Sequence, residues 1–105
     1  MATATPASSP ALLLVDLQND FLHPDGAYAL GGTASPDLAA LPGRLAPLAD
    51  RCRDAGIPIV ATLFTVVDGG PGRRLLSPHL AELRPFLAEG GFASGSWGQA
   101  CLLYT

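Results

Sequence analysis

The residues best suited to chemistry lie in one short window that follows an apolar run. Asp16 comes directly after "ALLLV", Gln18 lies two positions on, and Asp20 lies four positions beyond Asp16. A carboxylate at the end of a buried strand can accept a proton from a nucleophile or a substrate. The same carboxylate can instead cap the following turn through its own side chain. From position alone both interpretations of Asp16 stay open, whereas Asp20 is expected to cap the next turn.

The elements that must position this window form a βαβ pattern. Ala11 to Val15 is apolar on both faces, which favours a buried parallel strand. An amphipathic helix is predicted within Pro42 to Ala55, and a β-branched strand follows at Ile57 to Leu63. The apolar stripe of the helix comprises Leu38, Leu41, Leu45, Leu48, Cys52 and Ala55. Ligands of parallel sheets bind beyond the carboxyl ends of the strands, which is where Asp16 is expected.

The remaining segments are predicted from their glycines, prolines and apolar residues. Gly56 is expected to end the helix, and "DGGPGRR" is expected to be a loop without a phosphate-binding role. The final "QACLLYT" carries no charge, so Leu102, Leu103 and Tyr104 are expected to be exposed. Together with open sheet edges, these side chains predict association into a homo-oligomer.

Composition excludes several classes of protein. The chain has 105 residues and a net charge of −3, which predicts a single domain and no nucleic-acid partner. It lacks an apolar run long enough for a membrane span and the basic start of a signal peptide. Residues 1–10 are expected to be a disordered leader before a domain at 11–105. Two cysteines do not make a disulfide framework, so a cytoplasmic location is expected.

The run "VDLQNDF", followed by "HPDGA", resembles the opening of the isochorismatase-like cysteine hydrolases, the superfamily of nicotinamidases and N-carbamoylsarcosine amidases. The resemblance continues through "AGIPIVATLFT" and into "LAEGGFASGSW". It implies a three-layer α/β/α sandwich with a parallel sheet, of which this chain would be the N-terminal portion. It also implies hydrolysis of a carbon–nitrogen bond in a small amide, or cleavage of an isochorismate-like ether.

The resemblance assigns roles to four residues. The family's catalytic trio is an aspartate, a lysine and a cysteine, and Asp16 matches the aspartate that takes the thiol proton and passes it to the leaving amine. Gln18, Phe21 and Trp97 are candidate contacts of the small amide-like substrate. For Phe21, Phe64 and Trp97 a place in the core is the alternative, and aromatic residues are found there more often. Gln18 and Phe21 should lie close to Asp16.

The chain departs from the family pattern at the other two members of the trio. It contains no lysine, and Cys101 lacks the Gly-Val-x-Thr-Asn-like approach that precedes the family's nucleophile. Cys52 lies on the apolar stripe of the helix and is expected in the core. We therefore expect residues 11–105 to be a truncated domain that does not hydrolyse amides by itself.

Metal binding is not expected either. Several family members bind a metal through an Asp-x-His pair after the second strand, and here that region reads "TVVDGG", with Asp68 but no nearby histidine. His23 and His79 are far apart in sequence and are expected at the surface. No metal or other cofactor is predicted.

Two alternatives concern the role of the chain as a whole. A phosphotransfer aspartate of the haloacid-dehalogenase type would need a second aspartate where Gln18 stands, so this class does not fit. A non-catalytic α/β fragment or partner-binding remnant fits the missing lysine and nucleophile, and it remains open beside the hydrolase.

Overall fold

A computed structural model describes residues 9–104 of the chain. The leader predicted for residues 1–10 falls outside this range except for its last two residues. The strands are β1 (Leu12–Val15), β2 (Ile59–Thr62), β3 (Asp68–Gly70) and β4 (Arg73–Arg74). The helices are α1 (Asn19–Leu22), α2 (Ala27–Leu30), α3 (Pro36–Asp54) and α4 (Pro78–Leu83), and 3-10 turns cover Pro85–Ala88 and Leu102–Tyr104.

The two strands on either side of the long helix pair with each other. β1 and β2 are parallel neighbours, with Leu12 opposite Ile59 and Val15 opposite Thr62. The predicted parallel pairing is thus confirmed, and the fold class is α/β. Because the two carboxyl ends meet at one edge, the residues that follow Val15 lie beside the end of β2.

The α3 helix is longer than the segment from Pro42 to Ala55 in which it was predicted. It begins at Pro36, whose fixed φ suits the first helical turn, and it runs through two further prolines. Its end is the predicted one. Gly56 has a φ of 73°, and the N–H groups of Gly56 and Ile57 donate to carbonyls of the last helical turn at 3.1 and 2.8 Å. This is a Schellman motif, which favours glycine at the left-handed position.

Only a narrow strip of α3 is buried. Pro42, Ala49 and Cys52 lie inside, as predicted for Cys52, whereas Leu38, Leu48 and Ala55 of the apolar stripe are exposed. A pair of strands covers only one strip of the helix, and the spacing of apolar residues does not reveal how wide the covering sheet is.

Two small cores hold the elements together. The first lies between the sheet and α3 and buries Leu14, Leu17, Leu22 and Cys101. The second buries Val66, Leu87 and Phe92. Phe21 packs against both cores, so it links the sheet region to the segments that follow β2.

The segment "DGGPGRR" forms a hairpin, so its prediction as a loop is wrong. β3 and β4 pair antiparallel with Asp68 opposite Arg74, and Gly72 in the turn has a φ of 71°. The Arg74 guanidinium donates to the carbonyl of Leu87 at 2.7 Å and to that of Gly91. These contacts join residues 13 and 17 positions apart, which a local sequence pattern does not report.

The last described residues fold back on the first core. The N–H of Leu102 donates to the carbonyl of Leu17 at 2.7 Å, and Leu102 and Leu103 are half-buried there. The prediction that these two leucines are exposed is therefore wrong. The same prediction for Tyr104 lies outside the described side chains.

One helical layer covers the β1–β2 pair within the described range. Leu13 and Val15 are 57% exposed on the opposite face of the sheet, and Val60 is 51% exposed beside them. In residues 9–104, no helix combines the length and apolar character needed to cross a bilayer.

Candidate active site

Asp16 occupies the first position beyond the carboxyl end of β1, as predicted. Its φ of 57° places it in the left-handed region, which residues other than glycine adopt rarely. Its side chain is bound by the neighbouring strand: the Thr62 hydroxyl donates to Asp16 Oδ1 at 3.0 Å. The Asp16 N–H donates in turn to Thr62 Oγ1 at 3.1 Å and to the Thr62 carbonyl at 3.3 Å.

These bonds do not match the capping interpretation of Asp16. A capping aspartate accepts a hydrogen bond from an N–H within the turn that follows it. Among residues 9–104, the Asp16 carboxylate accepts only from Thr62, which lies 46 positions away, and Oδ2 has no hydrogen-bond partner. One carboxylate oxygen is therefore left free for a ligand.

Asp16 lines a cleft of about 330 Å³ between the sheet edge, α1, α2 and the start of α3. The other side chains in its wall are mostly apolar, among them Phe21, Tyr28, Leu38 and Leu41. A single carboxylate in a largely apolar wall is typical of sites that bind small organic molecules. The exposure of Leu38, which the helical pattern did not predict, is explained by its place in this wall.

Gln18 is fully buried and its amide group is engaged by backbone groups. Its Nε2 donates to the carbonyls of Phe64 at 2.8 Å and Gln99 at 2.9 Å, and its Oε1 accepts from the Phe64 N–H at 2.7 Å. The side chain thus ties the end of β1 to the residues after β2 and to the segment before Cys101. Gln18 lies near Asp16 in sequence, but it is not among the residues that line the cleft.

Asn19 and Asp20 hold the same distant segment. The Asn19 side-chain Nδ2 donates to the carbonyl of Trp97 at 2.7 Å. Asp20 accepts from the Ala27 N–H at 2.9 Å, at the start of α2, and from the Phe92 N–H at 2.7 Å. Asp20 was expected to cap the next turn; instead its two bonds reach the start of α2, seven positions on, and a residue 72 positions away.

A close approach of backbone to Asp20 explains one glycine. A Cβ at Gly98 would lie 1.9 Å from Asp20 Oδ2, so only glycine fits without a shift. The buried polar side chains of the "QND" motif thus connect the end of the first strand to residues 91–101 by hydrogen bonds.

Phe21 and Trp97 lie in different places. Phe21 borders the Asp16 cleft and stacks at tilted angles on Tyr28 and Phe92, with ring centroids 4.8 and 4.4 Å apart. Trp97 is 49% exposed and packs edge-on against His23 at 4.9 Å. It lines a separate cleft of about 420 Å³, so the predicted site residues are not all brought together.

Neither the cysteines nor the histidines line the Asp16 cleft, although Cys101 pairs with Gln18 in an isolated antiparallel bridge. Cys52 and Cys101 are both free and buried, and Cys101 belongs to the first core. His79 is exposed and His23 half-buried. Within the described part of the chain, no three His, Cys, Asp or Glu side chains are grouped closely enough to hold a metal ion.

Sequence reasoning missed Thr62 and Tyr28 as neighbours of Asp16. Thr62 was recognised only as a β-branched strand residue, yet it is the last residue of β2 and pairs with Val15. The signal was available: in a parallel pair, a polar residue at the end of one strand lies beside the residue that ends the next. Tyr28 lies in a glycine-rich segment that gave no such indication.

A family model of the isochorismatase domain matches residues 10–102. No curated protein and no solved structure matches the chain at a significant level. The matched range runs from before β1 to the segment held by Gln18 and Asn19, so it includes Asp16 and its cleft. Because the match spans most of the 105 residues, the chain belongs to the isochorismatase domain family.

Proposed function

We propose that this chain carries the proton-accepting part of a hydrolase site that acts on carbon–nitrogen bonds of small amides, with Asp16 as the general base. The observation that carries the proposal is the position of Asp16 in the cleft wall together with its free carboxylate oxygen. It is the one polar residue of the "VDLQND" motif that lines a cleft of apolar wall and keeps a free carboxylate oxygen.

The contrast within the motif supports this assignment. The side chains of Gln18 and Asp20 form hydrogen bonds with backbone groups, and that of Asn19 donates to the carbonyl of Trp97. Asp16 instead adopts a left-handed backbone conformation at the rim of the sheet, which aspartate tolerates better than most residues other than glycine. Non-glycine residues in this conformation concentrate at functional sites.

The proposed chemistry requires a thiol and a cation beside Asp16. Asp16 accepts the thiol proton, the thiolate attacks the amide carbonyl carbon, and the proton passes from Asp16 to the leaving nitrogen. Water then hydrolyses the acyl-thioester. This chain has no lysine, and its two cysteines are buried, so the proposal assigns neither the cation nor the thiol to a residue of this chain.

The residues that line the cleft are compatible with the substrate class of the proposal. Phe21 and Tyr28 supply aromatic rings beside the carboxylate, which suits a flat amide whose nitrogen faces Asp16. In this proposal Gln18 holds the strands that surround the substrate. Trp97 contacts a part of the substrate that lies further from Asp16. The proposal includes a three-layer sandwich fold and a homo-oligomer that pairs through open sheet edges. It also places the protein in the cytoplasm, without a nucleic-acid or membrane partner.

The alternative is a non-catalytic remnant of the family that binds a partner. It is favoured by the missing lysine and by the exposed apolar face of Leu13, Val15 and Val60. The two proposals differ at Asp16. A remnant has no use for a free carboxylate in a cleft, whereas the hydrolase proposal requires that a small amide binds there.

The test measures nicotinamide binding to the chain and to two variants of equal charge change. Asp16→Asn should weaken binding about tenfold, which corresponds to about 1.4 kcal/mol and is typical of one hydrogen bond to a charged group. Asp54→Asn, at the exposed far end of α3, is the control and should leave the affinity unchanged. Equal affinities for all three proteins, or no binding to any of them, would favour the remnant.

A further inference from the structure

We infer that Thr62 is a positioning residue that fixes the orientation of the Asp16 carboxylate. The catalytic importance of this role rests on the function proposed above, whereas the hydrogen bonds from which we infer the role are independent of that function. The Thr62 hydroxyl is the one side-chain group within residues 9–104 that hydrogen-bonds to both the backbone and the carboxylate of Asp16.

The hydroxyl performs two tasks at once. It accepts from the Asp16 N–H at 3.1 Å and donates its own proton to Asp16 Oδ1 at 3.0 Å. The first bond holds the backbone that follows β1, and the second holds the side chain. Among side chains of this size, only serine and threonine carry a group that both donates and accepts.

The position of Thr62 makes this bridge stiff. Its backbone is fixed in β2 by pairing with Val15, the residue directly before Asp16. Threonine is also branched at Cβ, which restricts χ1 and so limits where the hydroxyl can lie. The left-handed φ of Asp16 is thereby compatible with one side-chain direction, set from the neighbouring strand.

The bridge also distinguishes the two carboxylate oxygens. Oδ1 is occupied by the Thr62 hydroxyl, and Oδ2 has no partner in the described residues. Proton transfer is therefore assigned to Oδ2, and Thr62 acts through Asp16 without contacting the reacting atoms. A carboxylate free to rotate would present either oxygen, in several rotamers.

The test compares Thr62→Val, which keeps the shape and loses the hydroxyl, with Thr62→Ser, which keeps the hydroxyl. Three-bond couplings to Asp16 Cγ report the χ1 populations in the free protein. In the wild type and in Thr62→Ser one rotamer should exceed about 90%, and in Thr62→Val it should fall to about half, because three staggered wells become accessible. Unchanged couplings in Thr62→Val would overturn the inference. Thr62→Ala provides the same comparison if valine disturbs the pairing of the strands.

A second readout separates positioning from general support of the fold. Thr62→Val should weaken nicotinamide binding about three- to tenfold, and Thr62→Ser should restore it, while the amide spectrum of the two cores stays unchanged. A loss of affinity that serine does not restore would contradict the inference. Absence of nicotinamide binding by the wild type would count against the proposed function, and the couplings would still decide the role of Thr62.

Discussion

Replacing Asp20 by asparagine should destabilise the fold far more than the same substitution at Asp16. The two aspartates lie four positions apart in one motif, and both lose one negative charge. Asp20 is only 7% exposed and uses both carboxylate oxygens to accept backbone N–H groups. Asp16 uses one oxygen, which asparagine also provides.

The magnitude follows from the two bonds at Asp20. Asparagine has a single acceptor oxygen, so its NH2 group must face either the Ala27 N–H or the Phe92 N–H. A hydrogen bond to a charged group contributes about 1.5–3 kcal/mol, and an unpaired buried donor costs about 1–3 kcal/mol. The free energy of unfolding should therefore fall by about 3–5 kcal/mol, against a typical total of about 5–15 kcal/mol. Asp16→Asn should change it by less than about 0.5 kcal/mol, as most substitutions outside such networks do.

Urea denaturation of the wild type and both variants provides the assay. With a slope of about 1–2 kcal/mol per molar urea, Asp20→Asn should lower the midpoint by about 1.5–5 M. Asp16→Asn should leave the midpoint nearly unchanged. Equal shifts for the two variants would refute the distinction between a structural and a free carboxylate on which the site assignment depends.

Three further outcomes are expected. Gly98→Ala should destabilise the fold by about 1–3 kcal/mol, because its Cβ would overlap the Asp20 carboxylate. Gly43→Ala, in open space on α3, should stabilise the fold by about 1 kcal/mol. The urea midpoint should therefore fall in the first variant and rise in the second. Leu87→Ala should cost about 2–5 kcal/mol, since Leu87 is fully buried in the second core, and a thermal melt that moves by only a degree or two would argue against that core. The chain alone should release ammonia from nicotinamide no faster than background; turnover that disappears in Asp16→Asn would overturn this expectation and would require a new assessment of Cys101.

The parallel pairing of β1 and β2 could be predicted because local patterns decide it. Two apolar segments, the second of them β-branched, separated by a helical repeat leave few other topologies. The stop of α3 at Gly56 was predictable for the same reason, since the left-handed position favours glycine.

Features that depend on contacts distant in sequence could not be predicted. The β3–β4 hairpin is held by Arg74 on Leu87 and Gly91, and the burial of Leu102 depends on a bond to Leu17. Neither partner is marked by spacing or composition.

The candidate site shows the same division between local and distant information. The position of Asp16 at a strand end follows from the sequence, but its partner Thr62 depends on the register of the sheet. The engagement of Gln18 by Phe64 and Gln99 likewise depends on segments 46 and 81 positions away. A polar residue in a motif can thus be identified from sequence, while its structural or chemical role depends on what the fold brings to it.

The most direct test of the central claim is to map where nicotinamide binds on the ¹⁵N-labelled chain. If Asp16 is the proton acceptor of a hydrolase cleft, the largest chemical-shift changes should fall on Asp16, Phe21, Tyr28 and Leu41. At the same nicotinamide concentration they should be much smaller in Asp16→Asn, whose spectrum without nicotinamide should match the wild type. Changes confined to the cleft of Trp97, or changes that persist unaltered in Asp16→Asn, would contradict the assignment of Asp16 as the functional carboxylate.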